Sequence, residues 1–207
     1  MRIKDQLRTL TPTLIAAYLP ALAILGLAVA AKLFRGISIK FLTQDPATLM
    51  KAPFYVGAIS NLGIVIWCVS ASVYFFSFCI IRETRTDEGT REFFLASAIF
   101  STVLLFDDLY LLHEKVFPRR LHIPENAVYL GYVVLWLLYF IRYGKAILRT
   151  DFLLLLITMG FFGLSVATDI IWSHGHYLLE DGSKFLGIIG WTVYAFRTCM
   201  QRFDGRW

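Results

Sequence analysis

Asp107, Asp108, His113 and Glu114 crowd into one apolar stretch of the chain, FDDLYLLHEKV. An ionisable group in the middle of a membrane helix costs about 2.5–3.5 kcal/mol on insertion scales, so each needs a partner, water or a task. A second stretch carries Thr158, Ser165, Asp169, Trp172 and His176 at helical steps. A third opens with Glu180, Asp181 and Lys184, and Glu180 precedes Lys184 by four residues, the order that favours an ion pair along a helix. On a fourth, Gly57, Asn61, Cys68 and Ser72 form a small-polar stripe that suits a seam between helices.

These residue types point to hydrolysis. Zinc, iron and manganese take imidazole nitrogen and carboxylate oxygen, and a divalent metal brings the pKa of a bound water down toward about 7. The expected ligands are Asp107, His113 and His176. Glu114 or Asp169 is the expected general base, and Lys184 the cation that offsets developing negative charge. Asn61, Asp108, Glu180 and Asp181 complete the polar set. Haem bracketed by His113 and His176 is the lesser alternative, because the opposite helix ends hold no histidine for a second haem. The motif itself is sparse: His113–Glu114 lacks the second histidine, four residues after the first, of a zinc-protease helix. A salt-bridge network that only locks the helices is the competing reading for Asp107, Asp108 and Lys184.

The elements that must position these groups follow from composition. The chain has 207 residues, 57% of them hydrophobic and 17% charged, with a mean hydropathy of +0.63. Soluble domains average about 45–50% apolar and about 25% charged, so a soluble fold is excluded. Apolar runs cover roughly 13–34, 54–81, 93–116, 127–148, 152–173 and 181–200, and about 20 residues suffice to cross the hydrocarbon core. The runs are unbroken, whereas barrel strands are about 10 residues of alternating polarity. The expectation is an all-α, polytopic integral membrane protein: one transmembrane domain, 1–207, of about six helices. No room is left for a soluble catalytic domain. In the third helix Asp107, Tyr110 and Glu114 share a face, with Asp108 about 100° round, above Ser101 and Ser97.

The formal charge of +5 comes from Lys and Arg that flank the apolar runs, where they anchor helices among headgroups; no nucleic-acid partner is expected. The 20 Lys and Arg divide twelve to eight between the two sides, which places both termini in the cytoplasm of, by expectation, a bacterial inner membrane. The polar cluster then lies in the outer leaflet, where the third and fifth helices end and the second and sixth begin. Tyr129, Tyr132, Trp136 and Tyr139 stripe the fourth helix, either lining a lipid groove or packing helices. Gly160 with Gly163, and Gly187 with Gly190, permit close helix approach between the fifth and sixth helices. The function expected is a metal-dependent site acting on a lipid or lipid-linked substrate. The alternatives are an accessory subunit of a larger membrane complex, or a proton or cation relay. Membrane lipids are the expected partners, with a homo-oligomer or larger complex possible.

Overall fold

Long apolar runs leave the backbone one local way to satisfy its own hydrogen bonds, the helix. Every regular element among the described residues is helical. The computed structural model describes residues 3–83, 88–171 and 176–205, so Trp172 and His174 lie outside it. The chain forms two units, 1–56 and 57–207.

In the first unit, α1 (Ile3–Arg35) contains Pro12 and Pro20 and ends at Gly36, whose φ of 66° reverses the chain. Leu14, Leu25, Leu27 and Phe34 of α1 are exposed, the surface of a helix apolar on all sides. Two short helices follow, α2 (Ile39–Thr43) and α3 (Pro46–Met50). Asp45 caps α3 by accepting the Thr48 N–H at 3.1 Å, and Pro46 takes the first helical position, where no N–H is needed.

The second unit holds α4 (Ala58–Arg82), α5 (Glu88–Tyr110), a π-helical segment (Leu112–Leu121), α6 (Glu125–Ile147), α7 (Phe152–Ile171) and α8 (Tyr177–Phe203). Among the described residues, five helices are long and apolar enough to cross a membrane: α1 from Leu10, α4, α5, α6 and α7. The sixth apolar run becomes α8, which is not among them. Its inner face carries Ser183, Thr192 and Thr198, all buried against neighbours, so it draws less on hydrophobicity.

The core departs from the expected seam on α4. Asn61, Cys68 and Ser72 are exposed, and the buried stripe is Gly63, Trp67, Ser70, Tyr74, Ser77 and Ile81, at alternating steps of four and three. Partners decide the matter: the Ser70 and Thr192 hydroxyls share a 2.6 Å hydrogen bond, and Tyr74 packs on Trp191 with ring centroids 5.8 Å apart. Trp136 and Tyr139 join the same aromatic core through Phe100 and Trp191, so half of the α6 stripe is packing.

Where α7 meets α8, Gly187 and Gly190 face Phe162 and Thr158, whereas Gly160 and Gly163 have open space around them. A Cβ at Gly190 would sit 2.4 Å from Thr158 Oγ1. Gly190→Ala is therefore expected to destabilise the protein by about 1–3 kcal/mol, the usual range for overpacking. Adding Thr158→Ala leaves the nearest atom at 3.3 Å, a distance the helices can absorb, and recovers part of the loss. Thermal unfolding in detergent checks this; an unchanged midpoint for the single variant contradicts the close approach.

Candidate functional site

The third apolar run does not continue as one helix to residue 116. It breaks at Leu111, held at φ 51° in the left-handed region, and resumes as the π-helical segment. A left-handed residue with a side chain costs about 1–2 kcal/mol, so something must compensate. The compensation is visible at His113. Its backbone N–H donates to Asp107 Oδ1 at 3.0 Å, and its Nδ1–H donates to Asp107 Oδ2 at 2.6 Å. Both residues are buried. The break also undoes the expected Asp107, Tyr110 and Glu114 face, since Tyr110 is exposed. Segments of π-helix recur at functional sites for this reason: they re-aim side chains that regular pitch would disperse.

The Tyr132 hydroxyl on α6 also interacts with Asp107. Asp108, one residue on, turns to the opposite neighbours. Its Oδ2 accepts the Trp67 indole N–H from α4 at 2.9 Å, and its Oδ1 pairs with Lys184 Nζ from α8 at 2.7 Å. Lys184 thus pairs across helices with Asp108 rather than along α8 with Glu180. Trp67 lies flat on Phe162 of α7, with centroids 5.9 Å apart and planes within 5°. Four elements therefore fix two carboxylates, and each carboxylate oxygen has a donor.

With Nδ1 bearing the proton given to Asp107, the neutral His113 ring carries its lone pair on Nε2. That atom points toward a second tier of acids. Glu114 Oε1 is 3.6 Å away, beyond hydrogen-bond range, and the Tyr129 ring stands 5.7 Å from the imidazole. The Tyr129 hydroxyl sits between Asp169 Oδ2, at 2.9 Å, and Glu125 Oε1, at 3.2 Å. Glu180 lies within electrostatic reach of Asp169, Asp181 and Glu114. Burial on its own pulls the His113 imidazole down, but the Asp107 hydrogen bond and charge outweigh it and hold the ring above its ordinary 6.5.

Of the residues singled out in the sequence, Asp107, Asp108, His113 and Lys184 come together; Glu114 lies 3.6 Å from His113 Nε2, Asp169 accepts the Tyr129 hydroxyl, and Glu180 interacts by charge with Asp169, Glu114 and Lys184. Asn61 is exposed on the first turn of α4, and Asp181 is exposed. His176 is exposed at the N-cap of α8 and stands outside the group whose ligand atoms converge. That group is Asp107, Asp108 and His113, with ligand atoms all within 4.8 Å of one another. Sequence reasoning passed over Trp67, Tyr129 and Tyr132 as site residues. The signal was present in the Tyr129–Tyr132 half of the α6 stripe, because phenol and indole groups in an apolar helix seek acceptors.

The model of a protein family described as "Domain of unknown function (DUF8692)" matches residues 17–198, a span that includes this whole cluster. The chain belongs to that family. No curated protein and no solved structure matches it.

Proposed function

We propose that this protein is an integral membrane enzyme whose Asp107–His113 pair acts as a general base on a lipid or lipid-linked substrate. The observation that carries the reading is the 2.6 Å bond from His113 Nδ1 to Asp107, which orients the ring and turns Nε2 toward Glu114 Oε1, 3.6 Å away. A base in this setting takes a proton from water or a substrate hydroxyl as the oxygen attacks, and such assistance contributes about 10²–10⁴-fold in rate. Five helices long and apolar enough to cross a membrane support the membrane setting, and the proposal takes α8 as a sixth, more polar span. The excess of basic residues on the opposite side supports cytoplasmic termini and a site that opens outward.

The test is turnover. Wild type and His113→Ala, reconstituted in a total lipid extract, are compared by mass analysis of the lipids. The variant is expected to lose product formation at least about a hundredfold. Equal product from both, or none from wild type over the full extract, removes the proposal.

One observation favours a second reading. Asp107, Asp108 and His113 offer imidazole nitrogen and carboxylate oxygen within 4.8 Å, a donor set suited to zinc, iron or manganese. Such an ion would supply an activated water. It would have to displace the Lys184 ammonium from Asp108 and the His113 donors from Asp107, which is why the metal-free base is preferred. Elemental analysis of purified protein separates the two: a stoichiometric transition metal selects the second.

A further inference from the structure

Toward the end of the bundle where α6 gives way to α7, the interior holds a second polar centre, built of hydroxyls. Tyr74 from α4, Tyr139 from α6 and Tyr194 from α8 are at most 5% exposed, and each lies within electrostatic reach of the other two. Ser97 on α5 and Thr198, one turn beyond Tyr194 on α8, are fully buried and interact with Tyr74 and Tyr194 respectively. Ser97 lies about 15 Å along α5 from Asp107 at the usual helical rise, so this centre is separate from the Asp107–His113 pair.

Two of the phenol protons are already committed. The Ser97 hydroxyl donates to the Phe93 carbonyl at 2.7 Å, so in its 2.7 Å bond with Tyr139 it is the phenol that donates. Thr150 likewise donates to the Ile147 carbonyl at 2.7 Å, which leaves Tyr194 as the donor in their 2.7 Å bond. Tyr139 and Tyr194 therefore retain acceptor capacity on oxygen. The Tyr74 hydroxyl and Thr198 Oγ1 have no hydrogen-bond partner, although both side chains are 0% exposed; Ser97 and Tyr194 stand near enough to act on them without closing a bond. A buried hydroxyl left unpaired is costly, and a bundle surrounded by lipid offers it no bulk water.

Spare donors on α4 and α8 thus meet spare acceptors on α6 and α8. We infer that internal water is bound among Tyr74, Tyr139, Tyr194 and Thr198, accepting the Tyr74 and Thr198 protons and donating to the Tyr139 and Tyr194 oxygens. Size and chemistry select water: it needs only about 10–15 Å³ and two to four polar partners. An ion would need an opposite charge, and the charged group that reaches Tyr194, Asp151, is paired with Arg197. The bridge joins α4, α6 and α8 through side chains, and it links the Thr150–Tyr194 bond to the Tyr139–Ser97 bond in one hydrogen-bonded chain.

The experiment uses the full chain in neutral detergent. Brief X-ray irradiation makes hydroxyl radicals from bound as well as bulk water, and mass analysis reads which side chains are oxidised. Corrected for intrinsic reactivity, Tyr74 and Tyr194 are expected to be labelled several-fold faster than Leu155 and Ile188, which are buried to within 2% exposure but apolar. Tyr74→Phe and Thr198→Val each delete one hydroxyl while keeping the shape of the side chain, and each is expected to lower the melting midpoint by about 2–4 °C. In a dry site the same changes remove an unsatisfied group, and the midpoint stays or rises. Labelling of both tyrosines no faster than Leu155 and Ile188, or an unchanged or higher midpoint for Tyr74→Phe, overturns the inference.

Discussion

Lys184→Met is expected to lower the stability of the protein by about 3 kcal/mol, and Asp108→Asn in the same molecule to restore most of it. Removing one partner of a buried pair leaves the other charge without compensation, which typically costs about 3–5 kcal/mol. Asp108 is 9% exposed and would keep only the Trp67 indole as donor. The Lys184 side chain is 34% exposed, so solvent softens the effect and the lower end of the range applies. An asparagine at 108 still accepts the Trp67 N–H and carries no charge to strand, so the double variant approaches wild type. At the usual scaling for a domain of this size, about 2–4 °C per kcal/mol, the single variant should melt about 6–12 °C lower. Thermal unfolding of all four members of the cycle in one detergent measures the coupling. A single variant within about 0.5 kcal/mol of wild type, the scatter of surface substitutions, means the pair is not held in a desolvated setting.

The second large effect is chemical. Asp107→Asn keeps the shape of the side chain but places an amide N–H where His113 Nδ1 now donates. The ring is then driven to the tautomer with its proton on Nε2, and the outward nitrogen loses its lone pair. Under the proposed function, turnover of the lipid substrate is expected to fall about 10²–10⁴-fold with little change in substrate affinity. The pH dependence carries a sign that a purely structural role does not share. Wild-type His113 is held above 6.5, so base-dependent activity rises as pH climbs through that raised value. In Asp107→Asn the supporting charge is gone, and the midpoint of whatever activity is left moves to lower pH. Stability runs the other way. A raised histidine contributes fully below about 6.5 and loses that contribution as pH rises through the folded-state value, so in chelated samples the gap between wild type and variant is widest in acid and narrows above neutrality. A gap independent of pH would show that Asp107 does not hold the His113 proton.

These two results bear on different claims. A buried ion pair is weak support for stability in itself, because well-packed apolar residues often do as well. What the Asp108–Lys184 pair contributes to the site is placement: with the Trp67 bond it ties the end of α5 to α4 and α8. The Asp107–His113 pair is the one to which the proposed base chemistry is assigned. If the first variant behaves as expected and the second does not, the cluster is a lock for the bundle and no more.

Much of this was legible from the amino-acid order. Unbroken apolar runs of helix-spanning length leave helices as the regular structure, and the glycines at 187 and 190 marked a close helix contact that α7 and α8 make. Ionisable groups in such runs marked Asp107, Asp108, His113 and Lys184 as the place to look, because they are too costly to be there without partners. Periodicity assigns faces only while the pitch holds. A positive φ at Leu111, a residue that gives no sequence warning of it, ends the pitch between Asp107 and His113. Regular spacing therefore paired Asp107 with Tyr110 and Glu114, when the folded chain pairs it with His113. The same limit explains α4, where Asn61, Cys68 and Ser72 looked like a seam. Polarity alone does not tell which face of a helix finds partners, and the Ser70–Thr192 bond and the Trp67 indole are contacts with residues far along the chain. Composition and spacing determined that helices would carry a costly polar cluster. Which atoms met was decided by helix packing and one left-handed residue, since those contacts depend on distances between segments that no local pattern records.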